Sequence, residues 1–351
     1  MKLGSDHEVE MVDGEELAQL KRDFTGYTFG LVRLNPGHWI FPSDFMKFAD
    51  KLYNFKFKAN DVLIMTYMKC GTTWMQEMVW TMRNNSNLDH AATDDAINSR
   101  VPFLECDMFL GSTAVPPPDP ESSLCKEFAQ LCPGKNPEDG FFLQMADAIP
   151  EPRTIKTHLP LSLFPPELLD TVKIVYVARD PGDVAVSYYH HAMLFKSAGY
   201  VGSFESFISN FMDDNLLYGP YWLHVKEAWE KRNHPNLHFV FYEDLKADIM
   251  GELKKLDTFL GTNVNPHQIN KIRDFTRFEK MQERGNVFTQ TGEPDPFTIP
   301  MIANQHGGFF RKGKSGGWRE RMNDNQVKLM EEWTTQRFTS NGITFNSPRL
   351  E

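Results

Sequence analysis

The sequence predicts an α/β fold, a parallel sheet with helices packed on both faces. Three observations carry this. Apolar runs of strand length stand at 61–67 (DVLIMTY), 173–178 (KIVYVA) and 237–242 (LHFVFY). None alternates with polar residues, so each suits a strand covered on both faces. A helical pattern follows each run, and strand–helix alternation builds parallel sheets.

Taken in order, residues 1–20 (MKLGSDHEVEMVDGEELAQL) are acidic and read as a flexible N-terminal arm. They lack the apolar stretch of a signal peptide and the basic character of a transit peptide. The domain proper is expected over 21–351. Gly71 ends the first apolar run, and Met75, Met78, Val79 and Met82 follow at i, i+3, i+4 and i+7, one face of a helix. Residues 85–150 differ in character, with Pro116 to Pro118, scattered Asp and Asn, and broken helical stretches. They read as an insertion, a lid carried on the main domain. RTIKT at 153–157 is a short strand. KIVYVA ends in Arg179-Asp180-Pro181, where Asp180 suits an N-cap, Pro181 the first helical position and Asp183 the capping turn. That predicts a helix over 181–194. The run at 237–242 precedes a helix to about 260. Residues 282–317 dissolve into Gly, Pro, Asn and charge, and a loop of that length is usually functional or disordered. A last amphipathic helix is expected over 321–337.

The 351 residues fit one large α/β domain or two smaller ones, at roughly 150 residues per domain. The formal charge of −10 argues against a general affinity for nucleic acid or anionic membrane, though not against a local basic pocket. No apolar stretch reaches the roughly 18 residues of a membrane span. The four cysteines, Cys70, Cys106, Cys125 and Cys132, form no CxxC pair and fit a reducing cytoplasm. No metal-ligand cluster of usual spacing is present. The 28 Phe and 17 Met supply a core and are also the residues that line pockets for greasy ligands.

Four elements carry chemistry. Tyr67-Met68-Lys69-Cys70-Gly71-Thr72-Thr73-Trp74 lies where a strand enters a helix, the edge at which open parallel sheets bind ligands. Gly71 lets backbone N–H groups approach an anion, and Lys69 adds charge. It is not a Walker A loop, since the lysine precedes the glycine. The loop alone reads equally as a phosphate cradle or as a capped helix start with a chance lysine. His158, in KTHLP after a strand, is catalytic or structural. Arg179 and Ser187 can face the same crevice, Arg offering a fork for phosphate oxygens, or Arg179 can pair with Asp180 or Asp183. Arg311-Lys312-Gly313-Lys314-Ser315-Gly316-Gly317-Trp318 is a glycine loop able to wrap an anion, or a solvated surface loop. Together, the four suit a ligand with more than one phosphate group.

These residues resemble the cytosolic sulfotransferases. The family's YPKSGTTW stands here as YMKCGTTW at 67–74, and KTHLPL is intact at 156–161. YVAR…DVAVSYYH spans 176–190, YED stands at 242–244, and RKGxxGDW appears at 311–318 with Gly317 in place of Asp. The likeness covers roughly residues 40–340. It is strongest to the insect branch that includes retinol dehydratase, through RTIKTHLPLSLFPPELLDTVKIVYVARD, VKEAWEKR and the long insertion.

The resemblance implies a single domain with a mainly five-stranded parallel sheet, of the P-loop nucleotide-kinase-like sulfotransferase fold. It implies sulfuryl transfer from 3′-phosphoadenosine 5′-phosphosulfate (PAPS), without metal, to the hydroxyl of a small, mostly apolar acceptor such as a phenol, sterol or retinoid. The product is adenosine 3′,5′-bisphosphate (PAP). The 5′-phosphosulfate would lie on Lys69, Cys70, Gly71, Thr72 and Thr73, with Trp74 near the adenine. The 3′-phosphate would meet Arg179, Ser187, Arg311, Lys312 and Gly313. Tyr242, Thr276, Phe278, Met281 and Phe310 match further nucleotide-side positions. His158 matches the base, and Lys69 and Lys156 the cations at the transferring group. Phe103 and His191 match acceptor-side positions. Met68 and Cys70 depart from Pro and Ser. The dimer motif KxxxTVxxxE falls at 319–328 as RERMNDNQVK, broken at Asn323, Asp324 and Lys328, which implies a monomer or weak homodimer. Rival readings are a small-molecule kinase, an inactive binding protein, and a dehydratase working through a transient sulfate ester.

Overall fold

The computed structural model describes residues 1–89, 95–110, 118–285, 287, 297–306, 308–311 and 313–346. The strands are β1 Glu8–Val12, β2 Leu31–Asn35, β3 Trp39–Pro42, β4 Val62–Thr66, β5 Thr154–Thr157, β6 Lys173–Ala178 and β7 Leu237–Phe241. The last four form one parallel sheet in the order β5-β4-β6-β7. Val62 stands opposite both Thr154 and Lys173, and Ile174 opposite Leu237.

The apolar runs divide between two faces with the period of two that a pleated strand imposes. Leu63 and Met65 of β4, with Ile174, Tyr176 and Ala178 of β6, point into one core. Val62, Ile64, Val175 and Val177 point into the other. The second core is covered by the helix Thr72–Asn84 through Met75, Met78, Val79 and Met82, all at most 3% exposed. Burying such side chains contributes about 1.5–3 kcal/mol each. The helices Ile249–Leu260 and Pro266–Phe275 share that face. The helix Pro181–Leu194 covers the opposite one, capped by Asp180 Oδ1 at 2.9 Å from Gly182 N and 3.3 Å from Asp183 N.

Four expectations are corrected. The sheet has four strands rather than five among the described residues. Beyond β5 it continues only as a single parallel bridge, Phe103 to Lys156. Pro102 has no N–H to extend the ladder, and the chain turns at once into the 3₁₀ segment Cys106–Phe109. Second, residues 1–20 are not a free arm. β1 pairs antiparallel with β2, and β2 with β3. Leu3, Val12 and Leu20 are buried, while Glu16 of the helix Gly14–Asp23 pairs with Arg33 of β2, and Glu10 of β1 accepts from Asn35 of β2. Third, the last helix starts at Asp324, because Asn323 forms a capping box with Gln326. The stretch after β7 is two helices, Tyr242–Ala247 and Ile249–Leu260, broken at Asp248, whose side chain caps the second.

Candidate active site

The four chemistry-bearing elements, in their described residues, converge on the carboxyl edge of the parallel sheet. Gly71 has φ +101°, the left-handed region, and caps the helix Thr72–Asn84. A Cβ there would lie 2.7 Å from the Tyr242 ring, so conformation and space both demand glycine. Lys69 also has positive φ, and its ammonium lies 4.3 Å from the centre of the Phe309 ring. Burial, then the neighbouring charges of Arg179, Lys156 and Arg311, push Lys69 down to about 7. Lys156, at the end of β5, stands 4.3 Å over the Phe103 ring, and burial pushes it down to about 8.

Arg179 reaches across the crevice. It donates to the Lys69 carbonyl at 3.1 Å and the Lys314 carbonyl at 2.9 Å, and stacks 4.3 Å from the Tyr242 ring. Its Nε is buried without a hydrogen-bonding partner among the described residues, and so is Trp74 Nε1. It does not pair with Asp180 or Asp183. Asp183 turns instead to the glycine loop, where its Oδ2 accepts from Gly316 N at 2.6 Å and from Ser315 Oγ at 3.3 Å. That anchors the loop to the Pro181–Leu194 helix. Trp318 packs onto Gly182, where a Cβ would come within 2.3 Å of the indole. The loop is therefore tethered, not a free surface segment.

His158 is held at three points. Its Nδ1 lies 2.8 Å from the Thr66 carbonyl, which can only accept, so Nδ1 carries the proton and Nε2 keeps a lone pair. Thr66 Oγ1 lies 3.2 Å from Nδ1 and 2.6 Å from Thr72 Oγ1, linking the imidazole to the Gly71 turn. The His158 carbonyl accepts from His224 Nε2 at 3.0 Å, and His224 Nδ1 accepts from Tyr176 at 2.7 Å. The His158 N–H donates to Glu105 at 2.6 Å. Burial first, then the Lys156 charge, holds His158 well below its ordinary value. At neutral pH it is a neutral imidazole whose Nε2 carries no proton.

These groups border one cavity of about 300 Å³. Lys69, Gly71, Thr72, Thr73, Trp74, Arg179, Ser187, Tyr242, Thr276, Phe278, Met281, Phe310, Arg311 and Gly313 all line it. So do Phe103, Lys156, His158 and His191. Two expected residues stand apart. Cys70 is fully buried with its Sγ toward Tyr221, and burial pushes the thiol up to about 12, so any contact with a ligand falls to its backbone. Lys312 lies outside the described residues. His191, stacked 4.0 Å on Phe195, is held neutral by burial.

Sequence reasoning missed Thr66, Glu105 and Tyr218. Thr66 was legible as the last strand residue before the loop. Glu105 and Tyr218 were not, because their partners are distant in sequence; Tyr218 N, for instance, donates to the Ile40 carbonyl of β3 at 2.9 Å. The described part of the insertion supplies apolar lining through Phe103, Phe109, Leu110, Leu124 and Phe142. Phe141 instead stacks on Phe128 at 4.5 Å and fixes the insertion to itself.

A cavity with lysine, arginine and glycine turns at one end, and a neutral histidine beside aromatic walls at the other, defines a group-transfer enzyme for an anionic donor and an apolar acceptor. The profile of the family described as sulfotransferase domain matches residues 59–342. Sulfotransferase 1A1 of Mus musculus is 35% identical over 305 residues, covering 86% of this chain and 92% of its own. Luciferin sulfotransferase of Photinus pyralis is 29% identical, covering 83% and 75%. The crystal structure of retinol dehydratase in complex with androsterone and the inactive cofactor PAP superposes with a TM-score of 0.78 at 31% identity, covering 97% of this chain and 98% of its own. Its complex with retinol and PAP gives 0.77 at 31%, covering 98% and 99%. The chain belongs to the sulfotransferase family.

Proposed function

We propose that this chain transfers a sulfuryl group from PAPS to the hydroxyl of a small, mostly apolar molecule, with His158 as base. The observation that carries the reading is the cavity itself. Lys69, Lys156, Arg179 and Arg311 line one end; burial lowers both lysines, the other three cations lower Lys69 further, and a bound anion would favour the charged amines. The residues present fit the donor: the Gly71 turn, the threonines beside it, and the partnerless Arg179 Nε and Trp74 Nε1. When bound, PAPS supplies an activated sulfuryl group on a phosphate leaving group.

The chain's own work is positioning and charge stabilisation. His158 Nε2 takes the acceptor proton while Thr66 holds the tautomer. Lys69 stands where it can neutralise charge on the leaving phosphate, and Lys156 and Thr73 where they can hold sulfuryl oxygens. Arg179, Ser187 and Arg311 serve the 3′-phosphate, and Trp74 and Phe278 the adenine. Phe103, His191 and the insertion wall the acceptor. The described parts of 85–150 and 282–317 serve as a lid that keeps water from the donor.

His158→Ala is expected to lower turnover by about 10²-fold or more while PAP binding stays intact. A variant that kept most of its turnover would remove His158 from the mechanism. A second reading is favoured by the superposition on retinol dehydratase over nearly the whole chain: with an allylic alcohol, loss of the sulfate ester gives an alkene. Product analysis separates ester from alkene. No helix is long and apolar enough to cross a membrane among the described residues, and a cytoplasmic setting follows the cysteine usage. Asn323, which breaks the dimer motif, is engaged as a helix cap, and we read the chain as a monomer or weak homodimer.

A further inference from the structure

We propose that Glu105 is a positioning residue for the transfer reaction, fixing the turn that presents His158 and tying that turn to the wall of the acceptor pocket. The inference rests on His158 being the base. Glu105 is 1% exposed, and both carboxylate oxygens are committed to the catalytic turn. Oε1 accepts from the His158 N–H at 2.6 Å, and Oε2 from Thr157 Oγ1 at 2.8 Å. Thr157 Oγ1 in turn accepts from Leu159 N at 3.0 Å. Residues 157–159 are thus held by one side chain reaching in from 52 and 53 residues away in sequence.

A buried carboxylate is costly, and it persists where its oxygens meet donors that need them. Here those donors are the backbone and neighbour of the base. On its other side Glu105 opens the 3₁₀ segment Cys106–Phe109, from which Cys106 and Phe109 line the cavity. Two backbone bonds tighten the same junction: Lys156 N to the Pro102 carbonyl, and Leu104 N to the Lys156 carbonyl, both 2.9 Å. The Tyr218 hydroxyl neighbours the carboxylate, and its ring lies 5.6 Å from that of His158. Glu105 therefore joins three things that must agree in register: the base, the Lys156 backbone and the acceptor wall.

Glu105 does not line the cavity, and its direct bonds go to Thr157 and His158, so the proposal routes its effect on the rate through His158. A displacement of the imidazole by about 1 Å is enough to cost about 10²-fold in rate. Glu105→Ala should lower kcat by that order while PAP binds as in the parent. Glu105→Gln keeps the amide oxygen for the His158 N–H and should restore most of the loss; a role for the carboxylate charge on Lys156 would leave Gln as poor as Ala. The deciding test is the double variant. Combined with His158→Ala, Glu105→Ala should add nothing, because residues acting as a unit are non-additive. A full additional loss in the double variant, or PAP binding lost in step with turnover in Glu105→Ala, would overturn the proposal, as would unchanged kcat. Should His158→Ala alone keep its turnover, the base assignment fails instead, and that is read before Glu105 is touched.

Discussion

At Gly71 the backbone conformation, rather than a side chain, shapes the turn that borders the cavity. Its left-handed φ and the Tyr242 ring at 2.7 Å from any Cβ allow one residue type. A non-glycine in that conformation costs roughly 1–2 kcal/mol, and a Cβ would also push Tyr242 off Arg179. Gly71→Ala should therefore weaken PAP binding by about tenfold or more, read by calorimetry, with the fold intact by circular dichroism. Parental affinity in that variant would show that the turn does not cradle the nucleotide. The residue scale was the most legible from sequence. Lys69, Gly71, Thr72 and Thr73, which line the cavity, stand in a strand–turn–helix that eight residues define. Cys70 was less legible, because nothing in the loop says which side chain turns inward toward Tyr221. Glu105 was hidden for a different reason: its donors, Thr157 and His158, lie on another element.

At the scale of elements, the helix Pro181–Leu194 matches the expected 181–194, since its cap signals Asp180 and Pro181 are adjacent to the helix they start. β1 was invisible because it is stabilised by pairing with β2, whose partners lie 19 to 27 residues on, a contact that an acidic composition conceals. The fifth strand failed for a local reason, Pro102 and the turn after it. The insertion is the element with most to test. Its described residues place Phe103, Phe109 and Phe142 on the cavity, while Phe128, Phe141 and Met145 form a small core of their own. A wall with its own core can be shortened without unravelling the sheet behind it. Shortening 118–150 should loosen acceptor selectivity and raise futile donor hydrolysis, with PAP affinity kept. Unchanged acceptor range and unchanged coupling would make the segment ornament.

At the scale of the whole molecule, a chain of formal charge −10 concentrates cations at one sheet edge. The consequence is a defined pH dependence. In the free protein Lys69 is held down to about 7 by burial and by Arg179, Lys156 and Arg311. A bound anion favours the charged amine, so the value in the complex is higher. PAP affinity should be complete below pH 7 and fall as pH rises, by up to about tenfold per unit until the complex's own value is reached. The phosphates are already ionised there, with second pKa values of about 6, so the window from 7 to 9 reports the lysines, Lys69 from about 7 and Lys156 from about 8. Calorimetry in buffers of different ionisation enthalpy should show proton uptake on binding near pH 8. Affinity flat across that window would place Lys69 away from the nucleotide.

The central claim is that this cavity moves a sulfuryl group to an apolar hydroxyl. The most direct test incubates the protein with sulfur-labelled PAPS and a panel of retinol, androsterone and simple phenols. The account predicts acceptor-dependent release of label from the donor, recovered as a sulfate ester or as free sulfate with an alkene, and abolished by His158→Ala. Tight binding of PAP with no acceptor-dependent release from any member of the panel would contradict it.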